Sequence, residues 1–142
     1  MDQAKRAALI AKIKAIGGSD EGDHEAVVGI EDFFEGNDDL GSIGANLPQH
    51  PGLARFREVL SSIRDRADVS DLVIAIWEVD DREGGDWPYA EKVYLATSED
   101  DEAVEAWFQP LGPDEIWEVQ PETLRPSPEL EPGYRLLAVW WD

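Results

Sequence analysis

The sequence predicts an α+β domain, with a mainly antiparallel sheet and helices packed on it. Three observations point there. PGLARFREVLSSIRDRA (51–67) sets Leu53, Phe56, Leu60, Ile63 and Ala67 on one helical face. DLVIAIWEVD (71–80) and YRLLAVWWD (134–142) are apolar on both alternating faces, as strands covered on two sides are. The short connection DREGGDWPY joins the first of these to EKVYLATS (91–98), which makes that pair antiparallel.

The elements follow in order. Residues 2–16 carry Ala8, Leu9, Ile13 and Ile16 near helical spacing, and Gly17-Gly18 stops that helix. SDEGDHEA (19–26) reads as an acidic linker, residues 27–30 as a short strand, and 31–35 as one helical turn. Pro51 is expected at the first position of the next helix, where its missing N–H is harmless. Ser98 is expected to cap a helix over 99–109, whose first turn of Glu99, Asp100, Asp101 and Glu102 suits the helix dipole. EIWEV reads as an edge strand, and QPETLRPSPELEPG as an irregular crossing. With 142 residues and no visible break, the chain is expected to be one domain over 1–142, its 1–18 helix peripheral.

Charge bounds the function. The net charge is −20, on a surface of roughly 7,000 Å². Such a surface repels nucleic acid and anionic lipid and favours basic partners. Acidity can equally serve solubility or salt adaptation, and only four of the twelve basic residues are lysines. The absence of cysteine excludes a disulfide scaffold, a zinc–thiolate site and cysteine catalysis. No run is apolar and long enough for a signal core or a membrane span, so a cytoplasmic location is expected. No cofactor is expected.

The segment FFEGNDDLGSIGANLPQHPG (33–52) is a long polar loop, and loops of that length often carry function. The plainer account is an ordered loop bonded to itself through Asn37, Asp38, Asp39 and Asn46. As a ligand site it offers Asn37, Asp39, Ser42, Asn46 and His50. A phosphate cradle is opposed by the missing lysine and by the neighbouring acids. An EF-hand fails because no Gly follows Gly41 at the turn and no Glu closes the loop. His24, in DEGDHE, is a conceivable metal ligand, though an acidic linker explains it; no metal site is expected. Ser42 and His50 can be imagined as nucleophile and base, but nothing resembles a nucleophile elbow. Paired carboxylates carry no information among 32 acidic residues.

Six tryptophans are a high count, and most fall in apparent strands or helices. Trp140 and Trp141 must face opposite sides of their strand. Trp87, between Asp86 and Pro88, is the candidate exposed aromatic that would anchor a partner.

EDFFEGNDDLGSIGANL, HPGLARFREVL, WPYAEKVYLATS and the terminal YRLLAVWWD together resemble a family of small acidic bacterial proteins. The resemblance covers roughly residues 27–142 and brings no catalytic or binding residue with it. Size, acidity and lack of cysteine are also similar to many immunity proteins of bacterial toxin systems.

The leading expectation is a non-enzymatic acidic protein that binds a basic partner. Its most concrete form is an immunity protein that neutralises a basic toxin or nuclease. Asp38, Asp39, Asp80, Asp81 and Glu83 would steer that partner and Trp87 would anchor it. The alternatives are a small-ligand protein or hydrolase using the 36–50 loop, and acidity that serves solubility alone. A homodimer would be open to the apolar final strand if it lay at a sheet edge.

Overall fold

The computed structural model describes residues 1–17 and 25–142. Its elements are α1 (Gln3–Ile16), β1 (Glu25–Val28), α2 (Ile30–Phe34), α3 (Leu53–Arg64), β2 (Val69–Glu78), β3 (Tyr89–Thr97), α4 (Asp101–Phe108), β4 (Glu115–Val119), β5 (Leu124–Arg125) and β6 (Arg135–Trp140). The six strands form one sheet in the order β4-β6-β3-β2-β1-β5. All neighbours are antiparallel except β1 and β5. The α+β class is therefore the one the apolar patterning predicts.

Strand alternation sorts the side chains into two layers. Ile74, Ile76, Val93, Leu95, Leu137, Val139 and Trp141 face the helices, where Leu9, Ile13, Phe33, Phe56, Leu60 and Phe108 close the main core. Val27, Ala75, Tyr94, Ala96, Leu136 and Ala138 face the other way. Part of that second face is roofed by Leu124 and Leu130 of the proline-rich crossing. Trp140 and Trp141 split between the layers, with Trp141 1% exposed and Trp140 half-buried.

Ion pairs tie the helices together. Lys5 of α1 and Arg57 of α3 both reach Glu35 at 3.0 Å. Arg64 binds Glu31 at 2.6 Å, and these guanidinium and ammonium partners hold Glu31 and Glu35 below the usual carboxylate range.

Several boundaries differ from expectation. Glu25 and Ala26 belong to β1 rather than to the linker, because they pair with Leu124 and Arg125 of β5. The rest of that linker, with His24, lies outside the described residues. Pro51 precedes α3 instead of opening it: Gly52, at φ 99°, is the cap, and its N–H donates to His50 Nδ1. Ser98 does not cap α4. Its N–H donates to Asp68 O, and Thr97 Oγ1 accepts from Glu99 N–H, so Asp100 becomes the cap and accepts from Ala103 N–H. The crossing segment is less irregular than its prolines imply, because Leu124, 1% exposed, is drawn into β5. EIWEV is an edge strand, as expected. β6 is an interior strand paired on both sides, so its backbone offers no edge to a second copy. β2 is interior too, yet cover fails at its end, where Trp77 is 58% exposed.

Gly44 shows how tightly the 36–50 loop seats on the core. Its φ is 65°, and a Cβ there would lie 2.8 Å from Phe56 Cζ and 2.9 Å from Leu47 Cδ1. Phe56 is fully buried and cannot yield. Gly44→Ala is expected to cost about 2–4 kcal/mol, from left-handed strain plus overpacking. A urea midpoint that falls at unchanged slope would register it.

Candidate functional site

Two segments far apart in sequence meet at one end of the sheet. The first is the 36–50 loop. An isolated parallel bridge between Ile43 and Ala90 holds it against β3. Within it, Asn37 Oδ1 accepts from Asp39 N–H, and Asn37 Nδ2 donates to Phe33 O and to Ser42 Oγ. The Asp39 carboxylate accepts from Gly41 N–H and caps a single 3₁₀ turn, Leu40–Ser42. The loop is thus ordered largely by its own turn chemistry.

The second segment is the connection between β2 and β3. Arg6 of α1 pins it from behind. Its Nε donates to Asp86 O at 2.9 Å, and its Nη2 donates to Arg82 O at 3.1 Å and to Asp80 O. Gly85 makes room for this contact, because a Cβ there would lie 2.7 Å from both Arg6 Nη2 and Asp80 Cγ. On the outer side, Arg82 Nε and Nη2 each donate to the Asp80 carboxylate at 2.8 Å, a two-point pair. That guanidinium, with backbone N–H groups of the same connection, holds Asp80 far below the usual carboxylate range.

Between the segments lies a cleft of about 600 Å³. Its walls are Asp39, Gly41, Ser42, Glu78, Val79, Asp80, Arg82, Asp86, Trp87 and Tyr89. Four carboxylates therefore face one cation, and that cation is already held by Asp80. Asp39, Glu78 and Asp86 take part in no ion pair among the described residues. Burial, with the charges of Glu91, Asp142 and Glu78, raises the Tyr89 phenol. Among the described residues no three acidic or imidazole side chains are placed to hold a metal ion.

A general acid needs a carboxyl whose pKa is raised towards neutrality, and Asp80 moves the other way. The Ser42–His50 pair is not assembled. Ser42 Oγ accepts from Asn37, whereas His50 Nε2 lies 2.7 Å from Ile43 O and His50 Nδ1 accepts from Gly52 N–H. With Nδ1 accepting, Nε2 carries the proton and donates, so the imidazole fastens the loop to the start of α3.

The expected site residues are dispersed. Asp39, Asp80, Ser42 and Trp87 come together at the cleft, drawn from both candidate sets. Asp38 pairs instead with the Met1 amino group, and Asp81 with Lys14 at 2.8 Å. Glu83 is exposed in the β2–β3 connection, Asn46 is exposed on the 36–50 loop, and Asn37 is held inside that loop. Trp87 is not an exposed anchor. It is 2% exposed, because Arg6 folds the connection back and seats the indole in the core; its Nε1–H has no acceptor among the described residues. The exposed tryptophans are Trp77 and Trp117, at 58% and 36%.

Glu78, Arg82, Asp86, Tyr89 and Arg6 escaped the sequence reading. Arg6 left a signal: it lies three and four residues before Leu9 and Ile10, on the buried stripe of α1. Glu78 and Asp86 left none, since nothing local distinguishes them from the other acids.

No helix among the described residues is long and apolar enough to cross a membrane. Residues 4–139 match the family described as the uncharacterized protein YfbO family, a span that takes in α1 as well as the stretch from 27 onward. Over 119 residues the chain is 35% identical to the uncharacterized protein YfbO of Escherichia coli strain K12, covering 82% of each. No solved structure matches it. On the strength of that near full-length match, the chain belongs to the uncharacterized protein YfbO family.

Proposed function

We propose that this protein is a non-enzymatic acidic binding protein whose cleft receives a cationic group of a basic partner. One observation carries the reading: Asp39, Glu78 and Asp86 line a walled cleft without cations of their own among the described residues. The wider charge distribution supports it. Eight of the basic residues lie in α1, in α3 or just beyond it, where seven of them engage acidic side chains. Residues 98–142 hold twelve acidic residues against two arginines. Such a field speeds the approach of a basic protein, and the cleft then gives it a defined seat. The most concrete form is an immunity protein that covers a toxin or nuclease active site, with carboxylates standing in for the anionic substrate.

The test is capture of basic proteins from the source cell, followed by calorimetry of the purified partner at low and high salt. Affinity is expected to fall steeply with salt, and about tenfold in the D39N/D86N variant. No basic partner, or binding indifferent to salt, contradicts the proposal. The cleft volume also favours a second reading, a small amine-bearing ligand held by Asp39 and Glu78. In that case calorimetry with small amines succeeds where basic proteins fail.

A further inference from the structure

The face of the sheet turned away from the helices is only half covered. Leu124 and Leu130 roof the end near Val73, Val119 and Leu136. Beyond them, the register brings Trp117 and Trp140 to the same side, and the β1–β2 pairing of Val27 with Ala75, continued by two residues, sets Trp77 opposite Glu25, which bonds Tyr94 on that side. The register sets Glu115, Trp140, Lys92 and Ala75 in one row across four strands, and Trp117, Ala138, Tyr94 and Val73 in the next. Trp77 is 58% exposed, although tryptophan ordinarily lies mostly buried. Small Ala75 and Ala138 lie between the indoles and leave a floor of aromatic faces.

The charge around this floor says what fits it. Glu115 stands on this face in the row of Trp140, two positions before Trp117, and Glu25 reaches it to accept from the Tyr94 hydroxyl. The one lysine of the face, Lys92, is paired with Glu25 at 2.7 Å, and its Nζ lies 6.0 Å from the centre of the Trp117 ring. The face therefore already holds one cation over an indole, backed by a carboxylate. A second copy of this chain is disfavoured as the occupant, since each copy carries a net charge of −20. Arginine meets both demands: its planar guanidinium stacks on indole and also binds carboxylate.

We infer that this outer face docks an arginine-rich segment of a basic protein, with Trp77 and Trp117 as its aromatic anchors. The inference rests on the proposed acidic binding role and adds the surface and the side-chain chemistry. Glu78 belongs to the cleft and Trp77 precedes it in β2, so the two surfaces adjoin at the end of that strand.

A hexa-arginine peptide serves as the probe, titrated against the full chain with the indole N–H resonances followed by NMR. Saturable shifts of the Trp77 and Trp117 indoles are expected. The W77A/W117A variant is expected to bind about tenfold more weakly. Phenylalanine at both positions should restore part of that loss, which separates stacking from disturbed folding. If W77A/W117A binds as the natural chain does while D39N/D86N binds weakly, the outer-face inference is overturned and the acidic binding role stands. If the natural chain shows no saturable binding, both are overturned.

Discussion

Replacing Arg6 with methionine is expected to destabilise the protein by about 3–5 kcal/mol, although among the described residues Arg6 belongs to neither an ion pair nor the apolar core. The side chain is 5% exposed, and its guanidinium donates to the carbonyls of Asp80, Arg82 and Asp86. Hydrogen bonds from a charged donor contribute about 1.5–3 kcal/mol each, and water returning to the freed carbonyls offsets part of the loss. Methionine keeps the packing of the aliphatic stem, so the change isolates the polar contacts. Lysine is expected to recover little, because an ammonium lacks the fork that spans three acceptors. Against a total of about 5–15 kcal/mol, such a loss is large. Urea denaturation measures it. Hydrogen exchange gives the local signature, with faster exchange expected at Gly85, whose N–H bonds Arg82 O within the connection that Arg6 pins. A variant as stable as the natural protein would mean that Arg6 does not hold the wall of the cleft.

Trp141→Ala is expected to cost about 3–5 kcal/mol, while Trp140→Ala at the neighbouring position costs far less. Trp141 is 1% exposed and packs on Phe56 and Phe108, with ring centres at 5.6 and 6.3 Å. Its Nε1–H donates to Leu111 O at 2.8 Å, which ties the end of the α4 region to the last strand. Alanine leaves a cavity the size of an indole and a buried carbonyl without its partner. Trp140 lies on the outer face and is half-buried, so its truncation removes contact area that water readily replaces. Equal losses at the two positions would contradict the assignment of faces.

That pair also shows why the fold was legible. Alternation in YRLLAVWWD demands opposite faces for adjacent tryptophans, and the sheet gives them opposite faces. The apolar stripe of α3 and the antiparallel pairing of β2 with β3 follow from equally local patterns. What failed was decided by long-range contacts. Thr97 and Asp68 shift the start of α4 by tying down the residues before it. β5 exists only because β1 lies beside it. Trp87, among Gly, Asp and Pro, has the sequence surroundings of an exposed loop residue, and a side chain 81 positions earlier decides otherwise. Half of the candidate site was visible as loop chemistry at Asp39 and Ser42. The other half, Glu78 and Asp86, is defined by which acids the fold leaves facing a cleft, and composition does not encode that.

The central claim is that one walled set of carboxylates, rather than acidity at large, receives a cationic group. Backbone NMR during titration with an arginine-rich peptide tests it most directly. Saturable shifts confined to residues 39–42, 78–89 and the adjoining outer face, and abolished by high salt, are the expected result. Gradual, unsaturable shifts shared equally by the acids of 99–105, 122 and 129–131 would contradict it, and would leave the charge as a property of the whole surface.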